Sequence, residues 1–348
     1  ANRCCGRFRL IRACRRCWRH VMNGSGRCFR RLAKGAAMGE RQVWINGRMV
    51  PESQGFISFR DLGIIYGEGV FDTARTFGGR LFRLSDHIDR LYDSLAYARI
   101  DPGMTKAEMT AATEEVLVAN LPVLRPGEDY WVTQRVTAGI RALDGEPQSA
   151  TGATVMIECA PLPLRARARY FRDGIDAVTA TRPKIAPHAL SPRAKTTNYL
   201  NMMLAQAEVA DIVPGGWAIQ LDDRGNLAEG PGNNVFFVKD SKVYTPSDEV
   251  VLAGVSRQVV NEICGKSQIP LVIGDVTSVM AAGAEEAFFT STSLCACPVR
   301  SLDGRILPGG APGPVTRRIM EAFAAEAGFD YVGQYLAFLS DAPAQGGI

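Results

Sequence analysis

The stretch "SPRAKTTNYLNMMLAQAE" (Ser191–Glu208) carries two cations, Arg193 and Lys195, and from Thr196 turns uncharged and then helical in its apolar spacing. A lysine in a turn ahead of a helix is ordinarily a solvated charge. A deprotonated lysine amine, however, can condense with a carbonyl cofactor and can move protons. Residues elsewhere in the chain have to decide between the two.

Length and composition narrow the field. The chain has 348 residues, 46% hydrophobic and 22% charged, with no apolar run approaching the roughly 18 residues of a membrane span. Single cores stop growing at about 250–300 residues, so two domains are expected. The net charge of +4 is uneven: residues 1–38 hold 10 Arg and 1 Lys and no acid, leaving 29 of the 40 cations against all 36 acids. The part beyond residue 38 is therefore acidic, which removes the electrostatic case for nucleic-acid binding. Five of the nine cysteines (Cys4, Cys5, Cys14, Cys17, Cys28) fall in the same basic stretch. The remaining four are too sparse for a disulfide scaffold, so a reducing, cytoplasmic setting is expected. The basic stretch lacks the apolar core of a secretory signal. Cys14-x-x-Cys17 lacks a second ligand pair for zinc. Residues 1–37 are expected to be a disordered extension, with the functional protein starting near Met38.

Periodicity and turn chemistry organise the rest. "QVWINGRMV" predicts a hairpin turning at Asn46-Gly47, and "TARTFGGRLFRL" another at Gly78-Gly79. A helix capped by Ser85 is expected to present Ile88, Leu91, Tyr92 and Leu95 on one face. Thr105 and Glu108 form a capping box for a second helix. "DYWVTQRVTAG" and "ATVMIECAPLPL" read as strands, and Pro161, Pro163 and "RARAR" as a link between domains. Two hairpins follow, in "WAIQLDDRGNLAEG" and "VFFVKDSKVYTP". A helix from Ser256 ending at Gly265, a strand in "EEAFFTSTS" and a helix from Pro314 through Phe323 complete an α+β pattern split near residue 160.

Several motifs fail. "GKS" at 265–267 is no P-loop, because Val260 stands where a glycine is required. No nucleophile elbow occurs, and His20, His87 and His188 are too scattered for a metal site, so none is expected. Anion and amine features remain. "LAGVSRQVV" places Val255 and Ser256 at a helix start, whose free N–H groups favour phosphate. Glu229 sits between a strand and a Gly-Pro-Gly turn, and "FFTSTS" presents a run of hydroxyls.

Taken in order, "HIDRL", "AKTTNYL", "LAEGPGNNVFF", "LAGVSRQ", "TSTSLCACPV" and "GPVTRRI" closely resemble the class IV (fold-type IV) aminotransferases, which use pyridoxal 5′-phosphate (PLP). The group includes branched-chain aminotransferases, D-amino-acid transaminases, (R)-selective amine transaminases and aminodeoxychorismate lyase. The resemblance runs from about Val43 to Phe338. It implies a small α/β domain at 38–160, an interdomain linker at 161–170, and a larger PLP-binding pseudobarrel domain at 171–340. It also implies that Lys195 holds PLP and shuttles the substrate proton, and that Glu229, 34 residues later, faces the pyridine nitrogen. An ion pair there, at 4 Å and an effective dielectric of 20, is worth about 4 kcal/mol, enough to hold that nitrogen protonated.

By the same resemblance Arg90, Val255, Ser256 and Thr292 take the phosphate, and Tyr199 bonds the phenolic oxygen. Tyr66, Phe71, Thr292 and Ser293 take the substrate. The periodicity of its own helix turns Arg90 toward solvent, so only the resemblance assigns it. The implied reaction moves an amino group from an amino acid to a 2-oxo acid in a homodimer or larger homo-oligomer. A PLP lyase and a non-enzymatic binding protein on the same scaffold are the alternatives, and retention of both Lys195 and Glu229 speaks against the second. In D-amino-acid transaminases a "TRG" strand supplies an arginine for the substrate carboxylate. The matching stretch here is "RVTAG", with Ala138 at that place. The expected donors are therefore L-leucine, L-isoleucine or L-valine with 2-oxoglutarate, ahead of D-amino acids or (R)-amines. Arg75, Arg135 and Arg141 are the remaining arginines in reach.

Overall fold

Asn46 and Gly47 both take left-handed backbone angles, with φ of 47° and 85°, as the tight turns that match strand twist require. They join β1 (Gln42–Ile45) to β2 (Arg48–Pro51). This is a computed structural model in which residues 39–144, 146 and 149–339 are described. The expected extension at 1–37, with its cysteine pair and His20, lies outside them. A short helix, α1 (Leu62–Ile65), is capped by Asp61 and leads to β3 (Gly69–Phe77). The chain then turns at Gly78-Gly79 into β4 (Arg80–Leu81). Helices α2 (Leu84–Ala98) and α3 (Lys106–Asn120) precede β5 (Tyr130–Thr137) and β6 (Thr154–Pro161). The six strands form one sheet in the order β2-β1-β6-β5-β3-β4, antiparallel throughout. Ile88, Leu91 and Leu95 of α2 and Met109 and Val116 of α3 pack on its Val70, Val132 and Ile157.

The Thr105–Glu108 capping box forms as expected, each partner bonding the other's backbone. Ser85 does not cap α2. Arg83 is the N-cap, left-handed at φ 53° and without a side-chain cap bond. Its guanidinium is tied to Asp86 and Glu262, so side-chain ion pairs hold the entry where a hydroxyl was expected.

The Arg-rich run expected as a link is the ordered helix α4 (Leu164–Asp173). Leu164, Ala168 and Phe171 are buried at i, i+4 and i+7, while Arg165, Arg169 and Arg172 face outward. Three apolar positions suffice for a helix face when tertiary packing receives it.

Next come β7 (Ile175–Thr179), α5 (Leu200–Ile212), β8 (Trp217–Ile219), β9 (Glu229–Gly230), β10 (Asn233–Lys239) and β11 (Lys242–Pro246). Helix α6 (Val255–Lys266), β12 (Leu271–Gly274), α7 (Ser278–Ala282), β13 (Glu286–Ser291), β14 (Cys295–Leu302) and β15 (Arg305–Ile306) follow. Helices α8 (Pro314–Ala327) and α9 (Tyr331–Ala337) end the described chain. Helix α6 starts one residue before Ser256 and passes Gly265, and α8 runs on to a left-handed Gly328. The nine strands run β12-β11-β10-β13-β14-β7-β8, with β15 on β14 and β9 on β10. Gln220 N donates to Glu229 O at 3.0 Å and Ala228 N to Gln220 O at 2.9 Å. The strand after β8 is thereby joined to β9, and β9 to β10. The sheet closes on itself, and Glu229 lies in the closing seam.

The two sheets span residues 42–161 and 175–306. Residues beyond 41 hold both cores. Removing residues 1–37 is therefore expected to change stability by less than about 0.5 kcal/mol. Thermal melting of the shortened chain checks this, and a large drop in midpoint would make those residues structural.

Candidate active site

A cleft between the start of β3, the loop before α5, the seam at Glu229 and the start of α6 gathers most of the expected residues. Lys195, Tyr199, Arg90, Glu229, Val255, Ser256 and Thr292 all line it. Phe71 stands behind them, its ring 5.4 Å from that of Tyr199 and 4.5 Å from Lys195 Nζ.

Lys195 is held by its backbone. Its N–H donates to Ser94 Oγ at 3.0 Å, and its carbonyl accepts from Phe71 N at 3.0 Å. Thr196 bridges to Val70, and Thr197 N donates to Gly69 O. The loop therefore lies along β3 like a short extra strand. That fixes where the Lys195 side chain begins, and its Nζ reaches Tyr199 Oη at 3.1 Å.

Arg90 is not a solvent-facing arginine. Its side chain is only 11% exposed. Nε and Nη2 donate to the two oxygens of Asp72 at 2.8 and 2.9 Å, and Nη1 donates to Ala253 O at 2.9 Å. Asp72 projects inward from β3, fully buried, and His87 Nδ1 donates to it at 2.6 Å. Burial alone would push the Asp72 carboxyl up, but Arg90 and His87 overrule it and hold it well below the usual carboxylate range. Burial pushes His87 down against the pull of Asp72. The helix period points Arg90 away from the apolar face, and that side is covered by the second sheet's loops, which periodicity cannot show. Asp72 was missed; it is the one acid in the strand GVFDTARTF, and that was the available signal.

Ala253 immediately precedes the start of α6. Gly254 is its N-cap and supplies no side-chain cap, so the first N–H groups of the helix have no intrahelical acceptor. A Cβ on Gly254 would lie 2.2 Å from Asn234 Oδ1, so glycine is needed for the close approach. Asn234 Nδ2 in turn donates to Leu252 O and to Glu229 Oε2.

Glu229 is 4% exposed. Oε2 also accepts from Leu252 N at 3.0 Å, while Oε1 pairs with Lys184 Nζ, itself almost fully buried. Three bonds reach the Glu229 carboxylate, so its four lone-pair sites are not all used. Lys184 lies on the cleft wall and was not recognised in the sequence, where it is one more cation in a loop.

Two side chains are placed away from the cleft. Tyr66 ends α1 with 47% exposure and does not line the cleft. Ser293 is 3% exposed and turned into the protein, where its Oγ accepts from Arg167 and its carbonyl from Arg75 and Tyr335. The cleft is lined instead by Ser291 and Thr292, and Thr292 Oγ1 donates to Thr73 O at 3.1 Å. Among the described residues, no cluster of His, Cys, Asp or Glu could hold a metal ion, and no helix is long and apolar enough to cross a membrane.

The donor set suits a phosphorylated aromatic carbonyl. Arg90 and the α6 N–H groups offer a phosphate seat. Lys195 offers an amine, Tyr199 a phenol, and Glu229 a buried carboxylate. Thr290 Oγ1 and Asn233 Oδ1, both on the wall, are buried without partners.

A family model described as "Amino-transferase class IV" matches residues 69–302. A "Putative branched-chain-amino-acid aminotransferase" of Methanocaldococcus jannaschii is 34% identical over 284 residues, covering 81% of this chain and 95% of the relative. A D-alanine aminotransferase of Bacillus licheniformis is 30% identical over 283 residues, covering 81% and 95%. The structure also superposes on the branched-chain amino acid aminotransferase from Thermobaculum terrenum in its PLP-form. That match has a TM-score of 0.73, 25% identity, and 86% and 98% of the two chains covered.

Proposed function

Because the chain belongs to the class IV aminotransferases, we propose that it is a PLP-dependent transaminase. In this reading it passes the amino group of a branched-chain L-amino acid to a 2-oxo acid such as 2-oxoglutarate. The observation that carries it is the convergence of Lys195, Glu229, Arg90 and the start of α6 on one cleft.

PLP, when bound, supplies an electron sink for negative charge developing at the substrate Cα. The chain's residues do the rest. Arg90 and the N–H groups of Val255 and Ser256 seat the phosphate, with the bidentate Asp72 pair holding the guanidinium in place. Glu229, paired with Lys184, would take the ring nitrogen. Lys195 Nζ, oriented by Tyr199 Oη, would take the proton from the substrate Cα.

Substrate choice rests on the missing arginine. Arg135 pairs with Glu158 on the outer face, and neither Arg75 nor Arg141 lines the cleft. No side-chain guanidinium other than Arg90 meets the cleft among the described residues, so the carboxylate falls to the turn at 291–293. L-leucine is therefore expected to turn over faster than D-alanine or (R)-1-phenylethylamine at equal concentration. Initial rates decide it, and preference for either competitor removes the branched-chain reading. The D-alanine relative keeps that reading as the second choice.

A homodimer is the expected assembly. Leu200, Met203 and Leu204 leave an apolar stripe exposed on α5, and Phe56 and Phe59 are about 80% exposed. Among the described residues, four buried thiols are free, which fits a cytoplasmic home.

A further inference from the structure

Arg167 is mostly buried and has no acidic partner among the described residues. Its guanidinium lies 5.2 Å from the ring centre of Trp131 and 5.5 Å from that of Trp217, and its Nη1 donates to Ser293 Oγ. Burial pushes against its charge. Arg75, 1% exposed, reaches the same residue from the other side, donating to Ser293 O at 2.9 Å and otherwise to neutral acceptors. Two guanidiniums thus converge on one buried serine, where buried charges are normally paired with acids.

Donor count fixes one of the hydrogen-bond directions. Arginine can only donate, so Ser293 Oγ accepts from Arg167. Ser291 Oγ lies 3.4 Å from Ser293 Oγ and either hydroxyl can donate; in one of the two arrangements Ser293 gives its proton to Ser291. Ser291 Oγ also accepts from Leu294 N at 3.1 Å. In that arrangement both acceptor positions are used, and the one proton of Ser291 is left for the cleft that it lines.

We propose that Arg167, acting through Ser293, fixes Ser291 as a hydrogen-bond donor to the substrate carboxylate and so selects anionic substrates. Ser291 touches the substrate and Arg167 is a positioning residue. This rests on the transaminase reading and adds a side-chain source for the carboxylate seat. No bond is made or broken in this step.

The test measures holoenzyme affinity by calorimetry for 4-methylpentanoate and for its uncharged amide. Ser291→Ala and Arg167→Met are each expected to weaken the acid about tenfold, a difference of roughly 1.4 kcal/mol, and to leave the amide within about twofold. The double variant is expected to be no worse than either single one, because both break the same relay. Arg167→Lys, which also only donates, is expected to recover most of the loss. Equal losses for acid and amide, or full additivity, overturn the relay. Should Arg167→Met fail to fold, Ser291→Ala carries the test alone. Wild-type turnover of L-leucine reports on the functional reading separately. Intact turnover together with an unshifted acid affinity in Ser291→Ala overturns the relay and leaves the transaminase standing.

Discussion

Lys195→Ala is expected to lose the visible absorbance of the bound cofactor and to transaminate at least about 10⁴-fold more slowly than the wild type. The backbone of Lys195 is pinned by Ser94 Oγ and by Phe71 N, so truncation removes the amine without freeing the loop, and the thermal midpoint should hold. A second lysine lines the cleft, Lys184, but it is committed to Glu229. Lys184→Met should therefore retain the absorbance that Lys195→Ala loses. Absorbance and initial rates of the two variants, measured side by side, check the assignment. Wild-type turnover in Lys195→Ala would transfer the role elsewhere.

Glu229→Gln carries the second large effect, and it has two separable parts. The first is structural: Gln removes the anion and leaves Lys184 buried and uncompensated, at a cost of about 3–5 kcal/mol. The second is chemical: a neutral amide no longer favours a protonated ring nitrogen. At about 4 kcal/mol for such a pair, the single-turnover half-reaction with L-leucine should slow by roughly 10³-fold. Combining Glu229→Gln with Lys184→Met separates the parts. Replacing both charges by neutral groups should restore most of the melting temperature and none of the rate. Recovery of the rate in the double variant would show that Glu229 serves stability alone.

The carboxylate seat illustrates how far residue types alone reach. "TSTS" announces hydroxyls near a strand end, yet it does not say which of them faces the cleft. Thr292 and Ser293 were the expected contacts through their backbone N–H groups, and the turn into β14 carries the Ser293 side chain toward Arg167, 126 residues away in sequence. The same holds for Tyr66. Its position two residues before Glu68 says nothing of exposure, which depends on what packs over α1.

By itself the sequence determined the features whose physics is local. The Asn46-Gly47 and Gly78-Gly79 turns, the Thr105–Glu108 box and the strand alternation of β5 and β6 are settled within a few residues, by allowed backbone angles and side-chain period. Lys195 and Glu229 were named by the resemblance that the ordered motifs carry. Tertiary structure alone decided the partners. Arg90 is buried because β3 sets Asp72 beneath it, 18 residues away, and because the loop before α6 brings Ala253 to it. Glu229 faces Lys184 across 45 residues because the second sheet closes at β9. Ion pairs of this kind depend on which strands become neighbours and how deeply they lie, and neither quantity is written in the charge of a single residue.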